Sequence, residues 1–281
     1  MTHNPGQAQA GRAATKRVLW AFIIIPPLVF LIIFGPPYAM YVVVSVVAIL
    51  GLHEFYTLTL PKQALHEKIG GILMGTVLCG VFQWAHYEMV VATMGVIVVI
   101  LFVIHILLSQ ELSTLPNWIA TAFFGIVYVP FLLSHVILIN KIPQGPLWVL
   151  MLSVTVWTGD TFALVVGSRW GKHKLCPHIS PKKTVEGFVS CFVGALVSVL
   201  AFKLLLLSSL TISDAAILAL GIALFGQLGD LSESVIKRGA NVKDSSRLIP
   251  GHGGMLDKLD GFLFSSPFVY YFSVHKIYPG A

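Results

Sequence analysis

An all-α, polytopic membrane fold is what this chain predicts, and three observations carry the prediction. Hydrophobic residues make up 56% of the 281 and charged residues only 11%, against about 25% charged in soluble domains, and the mean hydropathy is +0.85. The 18 basic and 12 acidic side chains are too few to cover a water-soluble globule of this size. The apolar runs are helix-length and lack the period-2 alternation of a barrel, and hydrocarbon admits only helices or closed barrels. Finally, the basic residues collect in alternate loops, on one side of the predicted spans.

In chain order, the polar segment 1–17 carries Arg12, Lys16 and Arg17 and leads into an apolar run at 18–34. No small-x-small cleavage site follows, and Gly35-Pro36-Pro37 passes straight into the next run, so a retained first span is expected. Further runs lie at 38–52, 70–85, 89–108, 118–138, 147–167, 187–208, 213–229 and 262–274, about nine spans for a hydrocarbon core of ~30 Å. Pro26-Pro27 and the short second and last runs widen the range around nine to between eight and ten. With the N-terminus in the cytoplasm, the inner segments collect 15 of the 18 Lys and Arg, and the long loops 168–186 and 230–260 both lie inside. Cys79, Cys176 and Cys191 have neither the number nor the spacing of a disulfide framework or a thiolate metal site. Gly71-x-x-x-Gly75 and the stretch Gly187 to Gly194 suit close helix packing or a lipid-facing surface.

Charge is unevenly placed. Residues 1–150 hold 10 charged side chains and 151–281 hold 20, so 1–145 reads as membrane scaffold and 146–281 as the catalytic region. Asp230, Ser234 and Lys237 are spaced i, i+4, i+7, which puts a carboxylate, a hydroxyl and an ammonium on one helix face with Glu233 beside them. Asp257 and Asp260 follow at i, i+3 before the last apolar run. Topology explains Lys and Arg in a loop but asks nothing of Asp, and paired carboxylates suit a hard cation such as Mg²⁺. Between them, Pro250-Gly251-His252-Gly253-Gly254 makes a loop whose N–H groups can approach a phosphate closely, with His252 as ligand or loop organiser. Lys237, Arg238, Lys243 and Arg247 offer countercharge to a triphosphate.

Asp160 lies inside the run 147–167, where an ionisable residue normally faces a cavity or a polar partner. The loop Gly167 to Lys174 lacks the spacing of a P-loop and has no preceding strand. Ser180-Pro181-Lys182-Lys183-Thr184 could present ammoniums, hydroxyls and a helix N-terminus to an anion, or anchor the chain to anionic headgroups. His53, Glu54, His105 and His135 read as interfacial or packing residues, with Glu54 the one to watch.

The run Ser234-Val235-Ile236-Lys237-Arg238-x4-Lys243-Asp244-x-Ser246-x2-Ile249-Pro250-x-His252-Gly253-Gly254-Met255-x-Asp257-Lys258-Leu259-Asp260 resembles the signature of bacterial phosphatidate cytidylyltransferases, the CDP-diacylglycerol synthases. Trp157-x-x-Asp160-Thr161-x-Ala163 and Ser180-Pro181-Lys182-Lys183-Thr184-x-Glu186-Gly187 are similar to other stretches of that family. The family usually has Arg where this chain has Lys258, so a point charge replaces a bidentate fork. The resemblance implies transfer of a cytidylyl group from CTP to phosphatidate in a bacterial cytoplasmic membrane, with no nucleic-acid partner and a homodimer left open. By that resemblance Asp230, Asp257 and Asp260 hold one or two Mg²⁺ ions, and Lys237, Asp244, His252 and Asp257 are catalytic. Substrate binding falls to Asp160, Ser180, Lys182, Lys183, Thr184, Ser234, Arg238, Lys243, Gly253, Gly254 and Lys258. Transfer to an ether lipid or polyprenol, and a transporter using Asp160, are the competing expectations.

Overall fold

In the computed structural model, which describes residues 23, 25–108, 113, 115–246, 248 and 253–279, the apolar runs become helices joined by short connections. They are α1 (Ile25–Phe34), α2 (Ala39–Thr59), α3 (Leu65–Trp84), α4 (Tyr87–Leu108), α5 (Leu115–Ile126), α6 (Leu132–Lys141), α7 (Gly145–Trp170), α8 (Val185–Leu205), α9 (Ile212–Gly239) and α10 (Leu256–Phe272). A π-helical turn, Val127–Phe131, joins α5 to α6, and Pro130 inside it removes a helix donor and widens the turn. Seven described helices are long and apolar enough to cross a membrane, α5 and α6 counting as one over Pro116–Lys141. Ile25–Phe34 and the 17-residue α10 are shorter, so the all-α polytopic fold holds, with seven helices of spanning length among the described residues against the nine crossings expected. Arg12, Lys16 and Arg17 lie outside the described residues, as do Arg247, Pro250, Gly251 and His252.

One element departs from the all-helical expectation. Between α7 and α8, β1 (Lys174–Cys176) and β2 (Ser180–Thr184) form an antiparallel hairpin pairing Lys174 with Thr184 and Cys176 with Ser180. Pro181 bars a helix there and is tolerated at a sheet edge. The hairpin ends at Thr184, whose hydroxyl accepts the Gly187 N–H at 3.2 Å and caps α8.

Helix α9 starts at a capping box, with Thr211 Oγ1 accepting the Asp214 N–H at 3.1 Å and Asp214 accepting the Thr211 N–H at 3.0 Å. Its 28 residues span about 42 Å at 1.5 Å per residue, more than the ~30 Å hydrocarbon core. Its last turns therefore project past the apolar layer, and these carry Asp230, Glu233 and Lys237.

Packing places α7 along α8, α9 against α8 and α10, and α10 against α6, with α2, α3 and α4 side by side. Buried Tyr56 donates to the Ala122 carbonyl at 2.7 Å and fixes α2 to α5. Thr155 and Ser198 pair at 3.1 Å between α7 and α8, and Lys141 donates to the Phe82 carbonyl at 2.9 Å, closing the end of α3. Val189, Val193 and Val197 form an exposed apolar stripe on α8, and Val91, Val99 and Ile106 do so on α4. Such stripes belong against lipid rather than water.

Candidate active site

The acidic helix face expected at the end of α9 meets the start of α10. One carboxylate oxygen each of Asp230, Glu233 and Asp260 lies within 4.8 Å of the others. The approach is made possible by Gly229, where a Cβ would run into the main-chain oxygen of Asp260. Gly229→Ala should therefore push α9 from α10 and cost about 1–3 kcal/mol; a thermal unfolding midpoint equal to wild type in detergent would contradict that reading.

Two ammoniums flank the trio. Lys183, from β2, lies 2.6 Å from Asp230 Oδ2. Lys237 Nζ donates to Glu233 Oε2 at 2.6 Å and to Asp257 Oδ1 at 2.5 Å. The other oxygen of Asp257 accepts the Ser245 N–H at 3.1 Å, the Ser245 hydroxyl at 2.9 Å and the Gly254 N–H at 2.8 Å. Asp257 thus faces Lys237 and the loop, while Glu233 takes the third place beside Asp230 and Asp260. Gly253 adopts φ 86°, a left-handed conformation that glycine takes at no steric cost, and this turns the Gly254 N–H onto Asp257.

The donor set fits a cation. Glu233 is 1% exposed and its Oε1 has no hydrogen-bond partner among the described residues. A buried carboxylate oxygen left bare is costly unless a partner completes it. Carboxylates gathered this closely and away from water resist their charged forms unless a cation joins them, and Asp230, Glu233, Asp260 and Asp257 outnumber the ammoniums of Lys183 and Lys237, so these hard oxygen ligands suit a divalent ion.

The other expected residues sit around this centre. Asp160, ten residues before the end of α7, interacts electrostatically with Asp230, Lys183 and Lys258, and it lines a small cavity with Thr155, Cys191 and Gln227. Arg238 donates through Nε to the Ile179 carbonyl at 3.1 Å and through a terminal nitrogen to the Val242 carbonyl at 3.2 Å, linking the end of α9 to the hairpin. Lys182, Lys243, Asp244 and Lys258 are exposed, Ser180 is half-buried, and Ser234 and Thr184 are buried. His252 lies outside the described residues.

Three contributors stand outside the expected set. Glu233 was visible only as a neighbour of the stripe, and Ser245 is an ordinary loop serine. Glu54, in the half expected to be scaffold, is 3% exposed and accepts hydrogen bonds from Ser245, Ser246, Met255 and Leu256. Its signal in the sequence was a lone carboxylate near the end of an apolar helix.

Comparison with known proteins agrees with this picture. A model of the Cytidylyltransferase family matches residues 15–275. A phosphatidate cytidylyltransferase of Bacillus subtilis is 42% identical over 146 residues, covering 52% of this chain and 54% of that protein. Another, from Staphylococcus saprophyticus, is 44% identical over 124 residues, covering 44% of this chain and 48% of its own length. The matched segments thus span about half the length of these curated relatives.

Proposed function

The chain belongs to the Cytidylyltransferase family, and from that premise we propose that it transfers the cytidylyl group of CTP to phosphatidate, giving CDP-diacylglycerol and pyrophosphate. One observation carries the reading. Three carboxylates and two ammoniums converge where membrane helices α9 and α10 meet, a boundary that a lipid headgroup reaches from the bilayer and a nucleotide from water.

In this reaction an oxygen of the lipid phosphate attacks the α-phosphorus of CTP. A new P–O bond forms, the bond from the α-phosphorus to the oxygen bridging toward the β-phosphorus breaks, and pyrophosphate leaves with that oxygen. The nucleophile is already an anion, so no proton has to be removed from it. The barrier lies in bringing anions together in line, and the work of the site is positioning and neutralisation. Asp230, Glu233 and Asp260 would hold a divalent cation, Mg²⁺ by its preference for oxygen ligands, which when bound supplies positive charge to phosphoryl oxygens.

The chain's own cations do the rest. Lys237, held by Glu233 and Asp257, presents its ammonium at the trio, and Lys183 does so from the hairpin. Exposed Lys182 and Lys243, with Arg238, draw the triphosphate to the mouth, and Asp244 orients them. The N–H of Gly253, the hydroxyls of Ser180, Thr184 and Ser234, and the ammonium of Lys258 contribute to phosphate binding, with the Gly254 N–H held on Asp257 and Asp160 lining the cavity beneath. Asp257 acts by fixing Lys237. The site and both charged loops face the cytoplasm of a bacterial cell, where CTP and Mg²⁺ are supplied.

Purified protein with labelled CTP, phosphatidate and Mg²⁺ should yield labelled CDP-diacylglycerol only when lipid is present. Chelation with EDTA should abolish turnover and added Mg²⁺ should restore it. Nucleotide binding without product would shift the acceptor to another lipid, such as an ether lipid or polyprenol. No nucleotide binding at all would overturn the reading in favour of a transporter or scaffold.

A further inference from the structure

The N-terminus of α10 lacks a cap of its own, because Met255 at the N-cap position offers no side-chain acceptor. The first N–H groups of any helix need such an acceptor, and here it arrives from α2, some 200 residues earlier in the chain. Glu54 Oε1 accepts the Met255 N–H at 2.9 Å and the Ser246 hydroxyl at 2.6 Å. Its Oε2 accepts the Leu256 N–H at 2.8 Å and the Ser245 hydroxyl at 2.9 Å. One carboxylate therefore grips both flanks of the connection between α9 and α10. A negative charge at this helix end is also favoured by the helix dipole.

The grip leads into the site. The Ser245 hydroxyl that reaches Glu54 also lies 2.9 Å from Asp257 Oδ2; it carries one proton and serves one carboxylate at a time. Asp257 in turn holds Lys237, and Lys237 holds Glu233. The start of α10 carries both Asp257 and Asp260, so its placement sets where these carboxylates stand relative to α9.

We propose that Glu54 is a positioning residue for the transfer reaction, capping α10 from α2 and clamping residues 245–246 to 255–256 so that Asp257 and Asp260 meet α9 in register. The proposal rests on the cytidylyl-transfer reading for its catalytic consequence, and on geometry alone for the clamp. A carboxylate is required because each of its oxygens faces a main-chain N–H, which can only donate. Each oxygen serves one serine hydroxyl and one main-chain N–H. A hydroxyl can reverse its role but an N–H cannot, so glutamine in either orientation turns its NH₂ toward one unsatisfied N–H.

The test uses the full chain in detergent as wild type, Glu54→Gln and Glu54→Asp. Hydrogen exchange at residues 253–260 should speed up roughly tenfold or more in the Gln variant, the scale expected for losing charge-assisted bonds, and less in the Asp variant. Exchange in α7 and α8 should not change. In steady-state assays kcat should fall about 10- to 100-fold, as expected for a misplaced reacting group, with the KM for CTP moving far less and the Asp variant partly rescued. Unchanged exchange at 253–260 would overturn the clamp. Faster exchange throughout the protein, with activity falling only as folded protein is lost, would overturn the positioning role, and so would local loosening with normal kcat. If wild type shows no turnover, the reaction reading fails, while the exchange data still decide the clamp.

Discussion

Asp260→Asn is expected to abolish turnover, by on the order of 10³-fold, the scale seen when one charge-stabilising group is removed from an active site, without unfolding the protein. Asp260 contributes one of three carboxylate oxygens gathered within 4.8 Å, and its electrostatic neighbours include Asp230 and Asp160. Carboxylates this close and this buried disfavour one another's charged forms, and an amide at Asp260 carries no such cost even as it removes a cation ligand. The unfolding midpoint in detergent should therefore match or exceed that of wild type. Asp214→Asn makes the contrast. It weakens a helix cap far from the site, so it should cost about 1 kcal/mol and leave turnover intact. Wild-type rates in Asp260→Asn would remove Asp260 from the cation site, and a lowered midpoint would show that the trio is not under charge strain.

How far the sequence reached can be judged from the same residues. The stripe Asp230, Ser234 and Lys237 was legible because a helix repeats every 3.6 residues and the apolar run continues unbroken into α9. Which carboxylate would complete the trio was not legible. Glu233 and Asp257 differ only in where α10 is placed against α9, and that depends on the absence of a side chain at Gly229 and on a helix cap supplied from α2. The pairing of Lys183 with Asp230 spans all of α8 and most of α9, a distance that no local pattern encodes. The hairpin itself was hidden because its strands are three and five residues long and mostly polar, too short to show alternation. Span limits at α7 and α9 were read short because hydropathy ends where the bilayer ends, while the helices continue to Trp170 and Gly239.

Lys237→Met should lose both stability and turnover, and the two losses should separate in a second variant. The ammonium lies 2.6 Å from Glu233 and 2.5 Å from Asp257, and side-chain exposures of 12%, 1% and 13% put all three groups largely out of water. Methionine keeps the apolar stem packed but leaves two buried carboxylates facing each other, a change that costs about 3–5 kcal/mol when a buried pair is broken from one side. Adding Asp257→Asn removes one of the orphaned charges, so the double variant should recover a large part of the lost stability. It should recover no turnover, since the triphosphate still lacks the ammonium that offsets its charge in the transition state. Lys237→Arg sharpens the distinction. Its charge keeps Glu233 and Asp257 compensated, yet a planar fork cannot occupy the position of a compact ammonium between two carboxylates, so stability should be held better than rate. If the double variant regained rate along with stability, Lys237 would be a structural counter-ion and the neutralisation of the leaving pyrophosphate would have to come from the exposed cations at the mouth.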